Sequence, residues 1–215
     1  MLAVYGVALV MAGCTQAPVA KMLPSSQLDL TGTGSLAGGG HSSHNEVDIG
    51  LIACQNNGAY RPWRYIVIHH SAGDTGSAAL FDAAHRARGW DELGYHFVID
   101  NGNGGPDGRI EVGPRWQTQK WGAHTGNTPN NEYNNYGIGI CLVGDFTNSM
   151  PTAAQMASLK QLVASLMAKY DIPPENVIGH RDAPGAHTAC PGDRLYNYLQ
   201  GQLRIELARQ LAMKK

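Results

Sequence analysis

Apolar residues follow two different periods along the chain, and each period predicts its own elements. Short β-branched and aromatic runs bounded by Gly, Pro and Asp are typical of strands. Four such runs predict buried strands at 64–68, 94–100, 109–113 and 136–143, and the Gly-rich stretch between the second and third predicts an enlarged hairpin loop. A fifth, shorter strand is predicted at 176–179.

Three other segments carry apolar residues at a helical spacing. Residues 75–88 predict a helix whose inner face is Leu80, Ala83, Ala84 and Ala87. Thr152 and Gln155 form a capping-box pattern at the start of a long helix. Its apolar stripe comprises Met156, Leu159, Leu162, Val163, Leu166, Met167 and Tyr170. A last helix is predicted from a cap at Asp193, with leucines at 195, 199, 203, 207 and 211. The mixture predicts an α/β fold: a single domain with a central mixed β-sheet flanked by helices.

The N-terminal fifty residues differ from the rest. Residues 1–13 are apolar but shorter than the roughly 20 residues that a membrane span needs, so they are typical of a signal peptide. Met11–Cys14 resembles a bacterial lipobox, which predicts a signal peptide over 1–14 and a lipid anchor on Cys14. The alternatives are a cleaved signal without lipid and a chance apolar start. Residues 15–50 are rich in Gly, Ser and Thr, which predicts a flexible linker before a folded domain at 51–213. The protein is therefore expected to be exported, facing the periplasm or the cell wall.

Charge and cysteine content narrow the function. Sixteen basic and seventeen acidic residues give a net charge of -1, with no basic stripe, so nucleic-acid binding is not expected. The four cysteines, at 14, 54, 141 and 190, form no C-x-x-C pair, which disfavours a zinc knuckle or a thioredoxin motif. Whether Cys54 and Cys141 form a disulfide is left open.

Candidate metal ligands come from three places in the chain. His69 or His70 ends the first strand, His180 ends the fifth, and Cys190 follows after a Pro/Gly-rich loop. Three protein ligands with one open position are the pattern of a catalytic zinc site. Spacing alone also permits buried, satisfied histidines and a cysteine that acts as a small apolar residue.

Six ordered blocks of sequence and the capped helix at Thr152 resemble a known family. The blocks are Ile66–Ser71, Arg88–Phe97, Gly122–Gly126, Gly137–Gly144, Gly179–Asp182 and Thr188–Gly192. They resemble the N-acetylmuramoyl-L-alanine amidases of the type 2 superfamily, which includes phage lysozyme-type amidases and peptidoglycan recognition proteins. The resemblance runs from about Tyr65 to Leu199.

The resemblance implies a role for individual residues. His69, His180 and Cys190 match the family's Zn²⁺ ligands. Tyr95 and Thr188 match the groups beside the metal that donate hydrogen bonds or move protons. It further implies hydrolysis of the amide between N-acetylmuramic acid and L-alanine, with peptidoglycan or a muropeptide as the substrate.

Further residues are assigned around this site. His124 and Trp121 are predicted to contact substrate, the chain is expected to be monomeric, and His70 is expected to point away from His69. Trp90 and Trp116 are further candidates for stacking on sugar, with core packing an equal or better interpretation for Trp90.

Two other functions compete with this one. A non-catalytic muropeptide-binding module is the first, but non-catalytic members of the family lack the cysteine ligand that Cys190 supplies here. The second is a cysteine hydrolase that uses Cys141. That thiol lies inside an apolar strand, where burial raises a thiol pKa and makes the group inert.

Overall fold

The computed structural model describes residues 61–212. The predicted signal peptide, the linker, Cys54 and the first residues of the predicted domain lie outside this range, so those predictions stay predictions. None of the helices within 61–212 has the length and hydropathy needed to cross a membrane.

A five-stranded sheet forms the centre of the fold. Its strands are β1 (Tyr65–His70), β2 (Phe97–Ile99), β3 (Ile110–Val112), β4 (Gly137–Leu142) and β5 (Val177–Gly179). They lie in the order β3-β2-β4-β1-β5. β2 and β3 pair antiparallel, whereas the pairings of β2 with β4, β4 with β1 and β1 with β5 are parallel. The predicted mixed sheet is therefore confirmed, although β2 is shorter than the predicted 94–100.

Helices pack around the sheet, and in the described range the α-helices are α1 (Ala78–Ala87), α2 (Pro114–Gln117), α3 (Glu132–Tyr136), α4 (Ala153–Tyr170), α5 (Asp193–Tyr198) and α6 (Arg204–Ala212). Single 3₁₀ turns occupy Pro129–Asn131, Pro174–Asn176 and His180–Asp182. The predicted single α/β domain with flanking helices is confirmed.

The two faces of the sheet have different compositions because side chains alternate along a strand. On β4, Ile138, Ile140 and Leu142 belong to the larger hydrophobic core, together with the apolar face of α4. Cys141 points the other way, into a smaller cluster with Leu93, Val98 and Val143. His69 is the register partner of Cys141, so its side chain also lies on this second face. The candidate site is built there.

Helix α4 confirms its prediction in detail. Thr152 Oγ1 accepts a hydrogen bond from Gln155 N (3.0 Å), and Gln155 Oε1 accepts one from Thr152 N (3.2 Å), which completes the capping box. The predicted stripe is buried from Leu159 to Tyr170, with Met156 partly buried at its start.

Helix α1 corrects the prediction of which face is buried. Leu80 is 51% exposed, and Ala83, Ala84 and Ala87 are exposed as well. The buried residue of this helix is His85, whose Nδ1 accepts a hydrogen bond from Gly94 N (3.0 Å). The spacing of apolar residues predicted the wrong buried face, because the face that packs inward carries a histidine. That histidine is accommodated there by its hydrogen bond from a main-chain N–H.

The C-terminal helix is not one regular α-helix. Leu199–Leu203 form a π-helical segment between α5 and α6. Leucines spaced every four residues drift by about 40° per step around an α-helix of 3.6 residues per turn. The wider π turn offsets that drift, and Leu195, Leu199, Leu203 and Leu207 are all buried.

The start of α5 also differs from the prediction. Gly192 is the N-cap, and Asp193 is the first helical residue rather than the cap. The Asp193 carboxylate pairs with Arg181 (2.8 Å) instead of with the helix amides.

Candidate metal centre

Two adjacent parallel strands deliver two histidines to one edge of the sheet. β1 and β5 pair with Ile68 opposite Gly179, so His69 and His180 follow directly at the carboxyl ends of neighbouring strands. Their ring centroids are 4.6 Å apart. His69 is 1% exposed, and His180 is partly exposed at the start of the 3₁₀ turn His180–Asp182.

Cys190 joins the histidines because the loop after β5 folds back on itself. Arg181 N donates a hydrogen bond to the Cys190 carbonyl (3.0 Å). His70 N donates to Cys190 Sγ (3.3 Å), which places the sulfur 3.7 Å from His69 Nδ1. The candidate ligand atoms of His69, His180 and Cys190 all lie within 4.8 Å of one another.

Asp182 fixes the start of this loop against the C-terminal helices. Its carboxylate accepts hydrogen bonds from Gly179 N (2.9 Å), Tyr196 Oη (2.6 Å) and Gln200 Nε2 (3.0 Å). His180 and Arg181 are therefore held between a buried strand and a packed helix. The sequence motif Gly-His-Arg-Asp thus combines one candidate ligand with two residues that shape the loop.

The donor set fits a zinc ion. Two atoms bound to one zinc at about 2.0 and 2.3 Å with tetrahedral angles lie about 3.5 Å apart. The observed 3.7 Å between His69 Nδ1 and Cys190 Sγ is close to that separation. Imidazole nitrogen and cysteine thiolate are both common zinc ligands, and three protein ligands leave the fourth position open, as in catalytic zinc sites.

Burial sets the protonation of these groups before any metal binds. It lowers the pKa of His69 well below its usual value, with a further contribution from neighbouring histidines, and lowers the pKa of His180 to about 4. Both rings are therefore neutral, as metal ligation requires. Burial raises the pKa of the Cys190 thiol to about 12, against the opposing effect of the His70 N–H. A divalent cation reverses that preference by stabilising the thiolate.

Tyr95 and Thr188 lie beside this cluster. The Tyr95 ring centroid is 5.2 Å from that of His69. Burial, followed by the nearby Cys141 and Cys190 thiols, raises the pKa of Tyr95 well above its usual value. Thr188 is exposed, and its Oγ1 accepts a hydrogen bond from Cys190 N (3.1 Å). Both hydroxyls are protonated at neutral pH and can act as hydrogen-bond donors.

His124 lies deeper than a substrate contact at the surface would. It is 7% exposed, and its Nδ1 is 3.1 Å from His69 Nε2, on the opposite side of the His69 ring from Cys190. Its own Nε2 lies 3.2 Å from the Gly137 carbonyl. His124 therefore contacts a candidate ligand directly.

The tryptophans divide differently from the prediction. Trp121 is 42% exposed, with the Arg115 guanidinium carbon 5.5 Å from its ring centroid, and its substrate contact stays a prediction. Trp116 is wrong as a sugar-stacking candidate because it is fully buried in the large core. Trp90 is 40% exposed and stacks on His85 at 4.5 Å, so the core-packing interpretation is wrong and sugar stacking stays a prediction.

His70 and Cys141 stand outside the candidate ligand set. His70 Nδ1 accepts a hydrogen bond from Phe146 N (3.4 Å) and lies 3.7 Å from the Asp145 carboxylate, pointing away from His69 as strand alternation predicts. Cys141 is fully buried, and burial raises the pKa of its thiol well above the usual value. That environment disfavours a nucleophilic role.

The family model for N-acetylmuramoyl-L-alanine amidase matches residues 59–193 of this chain. The match covers the sheet, the three candidate ligands and the loop that joins two of them. The chain belongs to the N-acetylmuramoyl-L-alanine amidase family.

Individual relatives include both amidases and recognition proteins. Peptidoglycan recognition protein 1 of Bos taurus is 35% identical over 150 residues, which covers 65% of this chain and 72% of that protein. Among solved structures, the endolysin amidase LysCS of Clostridium intestinale is 30% identical with a TM-score of 0.55, covering 66% of this chain and 84% of its own. Human PGRP-IBETAC is 27% identical with a TM-score of 0.52, covering 66% and 85%. These matches support a function related to peptidoglycan.

Proposed function

We propose that this chain is a zinc-dependent N-acetylmuramoyl-L-alanine amidase, which hydrolyses the amide between N-acetylmuramic acid and L-alanine in peptidoglycan or a muropeptide. The convergence of the candidate ligand atoms of His69, His180 and Cys190 within 4.8 Å of one another carries the proposal. LysCS, whose fold this chain shares, is by name an N-acetylmuramoyl-L-alanine amidase. The structure of human PGRP-IBETAC is a complex with glycosamyl muramyl pentapeptide, which supports a substrate of the same chemistry.

The chain's own groups have separate tasks in such a reaction. Zinc, when bound, supplies a Lewis acid and lowers the pKa of a water ligand towards neutrality. Tyr95 and Thr188 are hydroxyl donors on the border of the cluster, suited to stabilise the negative charge that develops on the amide oxygen. The Thr188 oxygen accepts from Cys190 N, so its hydroxyl hydrogen is free to turn towards substrate.

Binding without cleavage is the alternative function, since recognition proteins are among the relatives. Cys190 argues against it. Cys190 is 7% exposed, and its sulfur accepts a hydrogen bond from His70 N and lies 3.7 Å from His69 Nδ1. Muropeptide binding alone does not require this arrangement. A metal-dependent reaction, by contrast, requires the candidate ligands His69, His180 and Cys190 to lie close enough to bind one ion.

The experiment that tests the proposal follows one product in three preparations. Purified muropeptide is incubated with the metal-stripped chain, with the same chain after one equivalent of zinc, and with zinc-loaded Cys190→Ala. Mass spectrometry should find that the second preparation releases free stem peptide beginning with L-alanine at least a hundredfold faster than the other two.

Cys141→Ala serves as the matched control because, among residues 61–212, it removes the other buried thiol, on the same face of the sheet as His69. It should retain zinc-dependent cleavage within a few-fold. Equal cleavage by the metal-stripped chain, or muropeptide binding with no product from the zinc-loaded chain, would overturn the proposal.

A further inference from the structure

We propose that His124 is a positioning residue for the metal centre: it accepts a hydrogen bond from His69 Nε2–H and thereby presents the His69 Nδ1 lone pair to the zinc. This inference rests on the proposed function for the identity of the metal. It replaces the expected substrate contact of His124 with a structural link between the sheet backbone and a ligand.

The donor and acceptor roles in these two hydrogen bonds follow from the Gly137 carbonyl, which is the last acceptor in the series. The Gly137 carbonyl can only accept, so His124 Nε2, 3.2 Å away, must carry the hydrogen. A neutral imidazole carries one N–H, which leaves His124 Nδ1 as an acceptor. His69 Nε2, 3.1 Å from that acceptor, must then donate. The remaining nitrogen of His69 is Nδ1, the atom that lies 3.7 Å from Cys190 Sγ.

The His124 ring packs closely against two glycines, Gly122 and Gly139. A β-carbon on Gly122 or on Gly139 would lie under 3.0 Å from atoms of the imidazole, so neither position has room for a side chain. Gly139 lies on the face of β4 that carries Cys141, while its neighbours Ile138 and Ile140 fill the large core. The Gly-Ile-Gly-Ile alternation of β4 therefore leaves space for one ring between sheet and loop.

Asn134 fixes the backbone on which His124 is carried. Its Oδ1 accepts hydrogen bonds from His124 N (2.8 Å) and Thr125 N (2.9 Å), and its Nδ2 donates to the Thr125 carbonyl (2.8 Å). Asn134 is itself 7% exposed, on α3 immediately before β4. The loop, the ring and its acceptor are thus fixed relative to the strand next to β1.

Such an arrangement matters because a ligand histidine whose second nitrogen is held by an acceptor is fixed in tautomer and orientation. Loss of that outer partner typically lowers metal affinity ten- to a hundredfold. The series of hydrogen bonds from His69 through His124 ends on a main-chain carbonyl instead of a carboxylate. A carbonyl does not titrate, so a change of protonation at that end cannot reverse the donor and acceptor roles.

Two variants distinguish the effect of the hydrogen bond to His69 from the effect of the space that the His124 ring fills. His124→Phe keeps a ring between Gly122 and Gly139 but removes the acceptor. His124→Asn is smaller but places Oδ1 near the position of the imidazole Nδ1. Zinc dissociation constants are measured by competition with a chromophoric chelator for the full-length parent and both variants, together with thermal unfolding of the metal-free proteins.

Tautomer state gives a readout that does not depend on zinc. Two-bond ¹H–¹⁵N spectra of the metal-free, ¹⁵N-histidine-labelled chain should show His69 with its hydrogen on Nε2. His124→Phe should shift this ring towards a mixture of tautomers, and His124→Asn should retain the parental state.

The expected result is a ten- to hundredfold weaker zinc affinity in His124→Phe, recovered at least partly in His124→Asn, with metal-free unfolding temperatures too similar to account for the difference. Unchanged zinc affinity in His124→Phe with a raised KM would overturn the inference and favour substrate contact. Equal loss in both variants, or His69 protonated on Nδ1 in the metal-free parent, would also overturn it. A parent that binds no zinc would refute the proposed function instead, and the tautomer spectra would still decide the hydrogen bond.

Discussion

Tyr95 stands where the candidate metal cluster meets the smaller hydrophobic cluster. Its ring lies against His69, and its hydroxyl is close to the Cys141 thiol. Because burial and these thiols raise its pKa, the hydroxyl stays protonated throughout the neutral range. The hydroxyl can therefore donate a hydrogen bond to a developing oxyanion, and the candidate metal ligands remain His69, His180 and Cys190.

Removing that hydroxyl should affect turnover and not metal binding. Tyr95→Phe keeps the ring packing on His69, so we expect kcat to fall about a hundredfold, in the range of a lost oxyanion donor, with the zinc dissociation constant unchanged. Steady-state kinetics on a muropeptide and chelator competition measure the two quantities. Tyr65→Phe, which alters a ring packed on Tyr133 instead, is the matched control. A kcat equal to that of the parent would remove Tyr95 from the reaction.

Single residues also show where sequence reasoning stops. Spacing left either His69 or His70 as a candidate, and strand alternation allowed only one of them to face Cys190; the resemblance selected His69. The depth of His124 could not be predicted, because it depends on a loop crossing β4. The one local signal for it was Gly137-Ile138-Gly139-Ile140, in which alternate positions lack a side chain.

At the scale of elements, Gln155 joins α4 to the sheet. It is 1% exposed, and its Nε2 donates to the carbonyls of Ile99 (3.1 Å) and Val143 (2.9 Å), where β2 and β4 end. Its Oε1 completes the cap of the helix. One side chain thus satisfies main-chain groups of two strands and a helix terminus.

Gln155→Met should cost about 2–4 kcal/mol of the free energy of unfolding, because it removes the donor to the buried Val143 carbonyl and weakens the cap. The Ile99 carbonyl keeps a hydrogen bond from Val143 N. Urea unfolding followed by circular dichroism measures the loss. Gln161→Met makes the same chemical change at an exposed position of α4 and should remain within about 0.5 kcal/mol of the parent. Equal effects of the two substitutions would show that the hydrogen bonds of Gln155 make no specific contribution to the free energy of unfolding.

The helices show which elements a pattern can predict. α4 is predictable in its cap and its stripe because its buried face is apolar apart from Gln155. α1 misleads because its buried position is a histidine satisfied by Gly94 N, whereas Leu80 is exposed. The π-helical segment at Leu199–Leu203 reconciles a four-residue leucine repeat with one buried face, which the repeat alone does not reveal.

At the scale of the whole molecule, strand order brings distant parts of the chain together. β1 lies between β4 and β5, so a histidine early in the domain meets a histidine and a cysteine more than a hundred residues later. The pattern of strands and helices was sufficient to predict an α/β sheet. It did not predict that β5 is an edge strand beside β1, which is the pairing that places His180 against His69.

The central claim is that His69, His180 and Cys190 form one zinc centre. X-ray absorption at the zinc edge, measured on the full-length chain loaded with one equivalent of zinc, tests it directly. We expect nitrogen or oxygen scatterers at about 2.0–2.1 Å and one sulfur at about 2.3 Å, with the sulfur absent in Cys190→Ala. A parent spectrum that contains only nitrogen and oxygen neighbours would contradict the claim.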